Sequence, residues 1–170
     1  GETVLLSHQG RLLPKRPPIS FLYGGRPSSK LFDNWPQTTE SQLQDDGTTL
    51  HRTTYTDPET GLQCLVEMTQ VPDFPAAEWV VRFKNTGSED TPILEDVQAL
   101  DFSWEAGDDD VLLHRSRGSH GQIEDFLYQS DFLHRRETFK EVQNIVMTPG
   151  GGRSSQDWLP FFNLQTGNEG

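Results

Sequence analysis

Alternation of apolar and polar positions with a period of two is the main signal along the chain. In Glu78-Trp79-Val80-Val81-Arg82-Phe83-Lys84-Asn85, the side chains of Trp79, Val81 and Phe83 fall on one face, with Glu78, Arg82 and Lys84 among those on the other. That is the pattern of a strand with one buried side, so Trp79 is expected in the core. Residues 48–56 are rich in β-branched side chains, Asp57-Pro58-Glu59-Thr60-Gly61 supplies turn residues, and residues 62–69 resume an apolar run. Strand, five-residue loop with glycine and strand together predict a hairpin. Ile19 to Tyr23 predicts a strand stopped by Gly24-Gly25, and further strands are expected over residues 93–102, 111–114, 142–147 and 159–164.

Prolines and glycines punctuate the rest. Pro14, Pro17 and Pro18 make residues 1–18 read as an edge strand and an extended connector, because proline cannot donate to a ladder. Residues 26–36 predict a loop or short helix carrying Phe32 and Trp35, and Pro36 disfavours helix through Trp35. Between 123 and 140 the pattern changes: Ile123, Phe126, Leu127 and Phe132 suggest one side of a short helix. Short strands between turn signals, without a sustained helical period, predict an all-β, mostly antiparallel β-sandwich. No repeat or linker divides residues 1–170, so one domain is expected. The turn signal Thr166-Gly167-Asn168-Glu169-Gly170 precedes no return strand, so the sandwich is expected to be incomplete at its C-terminal end.

Composition narrows the partners. Hydrophobic residues are 32% of the 170, and 26 acids against 14 bases give a net charge of -12. Such a balance argues against nucleic acid and against anionic membrane surfaces, both of which attract clustered Lys and Arg. A neutral ligand such as a sugar is compatible with it. No apolar run is long enough for a transmembrane helix and no signal peptide is visible, so a soluble chain is expected, cytoplasmic or secreted. Cys64 is the single cysteine, which rules out an internal disulfide.

Candidate chemistry is sparse. Glu95, Asp96, Asp101, Glu124 and Asp125 are carboxylates of the type that glycoside hydrolysis uses in pairs, although solvated or structural roles suit such an acidic chain better. Asp108-Asp109-Asp110 lacks the spacing of a calcium loop. His114 and His120 have no zinc-site pattern, Ser119 and Ser155 sit in no nucleophile elbow, and no Lys-Ser/Thr follows Gly150 to Gly152 as a phosphate loop would require. No metal or cofactor is therefore expected. Aromatic and donor-rich positions in glycine- or proline-flanked stretches remain: Trp35, Arg117, His120, Arg153, Ser154 and Trp158. Exposed aromatics mark interfaces or ligand sites more often than nothing. Arg117, His120, Arg153, Ser154 and Trp158 are expected to gather at one end of the sandwich.

Gly152-Arg153-Ser154-Ser155 followed by Leu159-Pro160-Phe161-Phe162-Asn163-Leu164 resembles the N-terminal β-sandwich of the α-galactosidase-like enzymes of glycoside hydrolase family 36. Phe74 to Trp79, Phe83 to Gly87, Thr91 to Asp96 and Arg115 to Gly121 extend the resemblance in the same order. The stretch from Gly24 to Trp35 departs from the substrate loop that some members carry. The resemblance implies part of a retaining hydrolase of α-galactosides, whose two catalytic aspartates lie on a following (β/α)8 barrel and map to no position here. It also implies packing on that barrel, a role at the rim of the carbohydrate site and a contribution to homo-oligomer contacts. A stand-alone carbohydrate-binding module or lectin-like sandwich is the alternative.

Overall fold

A computed structural model of the protein describes residues 17–72, 76–101, 110–134, 145–148, 150–153 and 155–166. Expectations for residues 1–13, Trp104, Asp108, Asp109, residues 142–144 and Ser154 lie outside them. The fold is all-β and β-sandwich-like, with three antiparallel sheets and one short helix among the described residues. The chain forms two compact units, divided between residues 104 and 105.

In the first unit, β1 (Ser20–Tyr23), β2 (Arg26–Pro27) and α1 (Ser28–Leu31) precede the long antiparallel run β3 (Gln37–Leu43), β4 (Thr49–Thr56), β5 (Leu62–Gln70) and β6 (Ala77–Asn85). A fifth segment after it, β7 (Leu94–Gln98), returns to pair with β1, so the sheets are ordered β2-β1-β7 and β3-β4-β5-β6. The expected hairpin forms as read: Tyr55 faces Cys64 and Thr53 faces Val66, with Asp57 N–H donating to the Leu62 carbonyl at 2.8 Å. β6 adds Phe83 opposite Cys64, Val81 opposite Val66 and Trp79 opposite Met68. Alternation thus becomes a continuous apolar surface.

Aromatic rings fill the core above it. Phe21 packs edge-on to Phe83 at 5.1 Å between centroids and to Phe32 at 5.6 Å. Leu31, Tyr55, Leu62, Cys64 and Val66 are buried around them. Removal from water pushes the Cys64 thiol up to about 12, so it behaves as a small apolar group. The buried Ser28 hydroxyl accepts the Phe21 N–H at 3.2 Å, and Tyr23, Thr60 and Asp57 form a hydroxyl–hydroxyl–carboxylate chain with steps of 2.7 and 2.6 Å, whereas the buried His51 Nε2 has no partner among the described residues. On the opposite face of the four-stranded sheet, Glu67 accepts from Arg52 at 2.9 Å and from Arg82 at 2.8 Å. The bonds from Arg82 and then Arg52 hold its carboxyl below the usual range.

Trp35 departs from the sequence reading. Expected in an exposed, ligand- or interface-facing position, it is 6% exposed and stands edge-on to Tyr23 at 5.8 Å and Phe32 at 6.2 Å. The turn after α1, closed by the Trp35 N–H to the Leu31 carbonyl at 3.0 Å, swings the indole inward before the next strand starts at Gln37.

The second unit contains β8 (Val111–Arg117), β9 (Tyr128–His134) and β10 (Trp158–Thr166), ordered β10-β8-β9. The helix expected from residue 123 is corrected here. Residues 122–126 form turns, Phe126 has a φ of 62°, Ile123 is 96% exposed, and the chain is extended from Tyr128. Four apolar residues at irregular spacing give a helix no continuous face to bury, whereas β8 offers unpaired ladder groups beside them. Ile145 to Met147, expected within a strand, belong to no strand or helix. The strand read at residues 159–164 does have a partner, upstream: Leu164 faces Leu113 and Asn163 faces His114. Its other side is an edge among the described residues.

Candidate functional site

The candidate site is built where β8 ends and β10 begins. Their ladder places Trp158 opposite Arg117, and an irregularity follows before Phe162 meets Arg115. β8 alternation puts Arg115 and Arg117 on one face. The Arg115 guanidinium carbon lies 4.1 Å from the Trp158 ring centroid and that of Arg117 5.5 Å, within cation–π range. Arg115 also donates to Asp131 at 2.8 Å, so its orientation is fixed from two sides. Arg117 is exposed.

Beyond the strand ends, two glycine-containing loops interlock. Gly118 N–H donates to the Asp157 carbonyl at 3.0 Å, and Ser119 N–H to that of Ser155 at 2.8 Å. Gly118 is buried, and a Cβ there would overlap the Ser155 carbonyl oxygen, so the approach requires glycine. The two loops are joined again by His120 Nε2 and Asp157 Oδ1 at 2.5 Å. On its other side the Asp157 carboxylate abuts Gly150, where a Cβ would also overlap it. Arg153 is exposed on the turn closed by its own N–H to the Gly150 carbonyl at 3.1 Å.

Asp125 shapes the loop from within. It accepts from the backbone N–H groups of His120 and Gly121, both at 2.8 Å, and from the Ser119 hydroxyl at 3.0 Å. Backbone donation, His120 first, holds its carboxyl below the usual range. A group whose pKa is depressed by folding stabilises the fold above its unfolded value, about 3.9, and that contribution is lost as pH falls through the folded value. Asp125 is therefore expected to titrate, by carbon NMR of its carboxyl, with a midpoint below about 3.9, and the loop to loosen in acid. A midpoint at or above that value would remove this role.

Of the residues singled out by sequence, Arg117, His120 and Trp158 come together, and Arg153 sits on the turn packed against their Asp157. Trp35 belongs to the core of the first unit. Arg115, Asp131 and Asp157 complete the cluster, and the sequence reading missed all three. Extending the β8 alternation by three residues would have placed Arg115 beside Arg117. Asp157, which the sequence reading did not single out, engages His120 through its carboxylate. Asp125, weighed as a carboxylate of catalytic type, is occupied with loop amides. Glu95 and Asp96 lie on β7 of the first unit. Among the described residues, no group of three His, Cys, Asp or Glu side chains is arranged to hold a metal, and no helix is long and apolar enough to cross a membrane.

The cluster offers two guanidinium groups over one indole and, where the loops meet, an imidazole paired with the Asp157 carboxylate. Comparisons with protein-family models, with curated proteins and with solved structures each returned no match for the chain.

Proposed function

We propose that this chain is the N-terminal β-sandwich portion of an α-galactosidase-like glycoside hydrolase, and that the Arg117–His120–Trp158 end of its second unit forms part of the wall of the carbohydrate site or of the oligomer contact beside it. The observation that supports the reading is the stacking of Arg115 and Arg117 on Trp158 next to the His120–Asp157 pair that joins two interlocked glycine loops. A pyranose presents an apolar C–H face suited to an indole, and hydroxyls suited to Arg and His donors. A rigid constellation at strand ends is where a scaffold places such contacts. Catalytic carboxylates are assigned to the following barrel, and none to this chain.

The test uses the full-length polypeptide that carries this chain. It is expected to hydrolyse an aryl α-galactoside. Trp158→Ala is expected to raise KM or weaken subunit assembly by about tenfold, the scale of one lost buried contact, with the circular dichroism unchanged. Absence of turnover on α-galactosides, or wild-type kinetics and assembly in the variant, would refute the proposal.

A further inference from the structure

One face of the β10-β8-β9 sheet carries no formal charge. Pairing aligns Leu112 with Phe132 and Gln165, His114 with Ser130 and Asn163, and Ser116 with Tyr128. None of these is Asp, Glu, Lys or Arg, in a chain where such residues are 24%. The opposite face holds the buried Val111 and Leu113 together with Arg115, Arg117 and Asp131. On the charge-free face Tyr128, Ser130 and Asn163 are exposed. Phe132, opposite Leu112 on this face, adds a second ring at 37% exposure.

The polar groups of this face are ordered by His114. Its Nε2 lies 2.8 Å from Gln165 Oε1, an oxygen that only accepts, so Nε2 carries the proton. In the neutral ring Nδ1 is then an acceptor with one lone pair, which the Ser130 hydroxyl at 2.9 Å and the Tyr128 hydroxyl share. Each partner keeps unused capacity, and the hydroxyl that is not donating to Nδ1 can also donate outward. The Ser130 and Tyr128 oxygens can still accept, and the Gln165 amide nitrogen can still donate. The Tyr128 ring lies nearly parallel to the imidazole, at 17°, which fixes its plane.

We propose that this face is a binding platform for a neutral carbohydrate, with Tyr128 and Phe132 against the apolar side of the sugar and Ser130, Tyr128, Asn163 and Gln165 exchanging hydrogen bonds with its hydroxyls. Interleaved acceptors and donors beside open aromatic rings suit a polyol. An ionic ligand would meet no countercharge on this face. An apolar protein surface would leave the ordered amide and hydroxyls unpaired, at the cost of their desolvation. The platform is distinct from the loop-end site, and stands whether or not that site belongs to a hydrolase.

The test is titration of the isotope-labelled 170-residue chain with raffinose and with cellotriose, followed by amide NMR. At least one of them is expected to shift signals of residues 112–116, 128–132 and 163–165. Tyr128→Ala is expected to weaken that binding about tenfold or more, and Gln165→Leu or the exposed Asn163→Ala by a smaller factor, as for lost hydrogen-bond partners. No shift at millimolar sugar, shifts confined to residues 117–121 and 150–158, or self-association that covers the face and is indifferent to sugar would each overturn the proposal.

Discussion

Trp35→Ala is expected to cost the first unit about 3–5 kcal/mol, the range for deleting a large buried aromatic. The indole is 6% exposed and borders Phe21, Tyr23 and Phe32. Its aromatic neighbours also pack on one another, which limits how far they can move into the space. Urea unfolding should show a lower midpoint, with the denaturant slope unchanged if only stability is altered. A change under about 1 kcal/mol, the typical effect of a point substitution, would return Trp35 to the surface role first read from its prolines.

The second large effect is expected at Gly118. Its missing side chain makes room for backbone, not for a movable side chain. A Cβ would lie 2.6 Å from the Ser155 carbonyl carbon as well as overlapping the oxygen. Relief requires the two loops to part, which breaks the Gly118–Asp157 and Ser119–Ser155 hydrogen bonds together. Gly118→Ala is therefore expected to destabilise the second unit by about 3 kcal/mol, the upper part of the range for overpacking, and to abolish the fixed approach of His120 to Asp157. Gly152→Ala separates space from backbone conformation. Gly152 has a φ of 72° and nothing within 4 Å of an added Cβ, so only the left-handed backbone penalty of about 1–2 kcal/mol applies. Thermal unfolding of both variants checks the ranking, and equal losses would deny the close approach its role.

Legibility followed the amount of apolar surface each strand buries. β4 and β5 were readable from β-branched and apolar content on either side of a glycine turn, and β6 because Trp79, Val81 and Phe83 recur every second residue. β3 was not, since Gln37-Thr38-Thr39-Glu40-Ser41-Gln42-Leu43 is exposed throughout and bears no such alternation. Its strand conformation comes from backbone pairing with β4, a contact between segments that no local pattern records. The misread of residues 123–134 has the same origin. Leu127, Tyr128 and Phe132 are exposed, so their apolarity indicated an interior that they do not occupy. At the candidate site, glycines flagged the two loops and proximity followed from the β8–β10 pairing. The pairing of Asp157 with His120 depends on which loop folds across it, and no local pattern records that.

The charge triad on the outer face of the four-stranded sheet has a consequence for folding fidelity. Side chains along a strand alternate between faces, so sliding β5 by one residue would turn Glu67 toward the aromatic core and expose Cys64 and Val66. A carboxylate forced under Phe21 and Phe83 would lose both arginines and its hydration at once. The neighbouring strands β4 and β6 each contribute one arginine to Glu67, so a single acid checks the alignment of three strands. Exposed ion pairs add little to stability. Glu67 instead makes the wrong pairings costly, and its removal is expected to appear less in the unfolding midpoint than in the yield of correctly refolded chain.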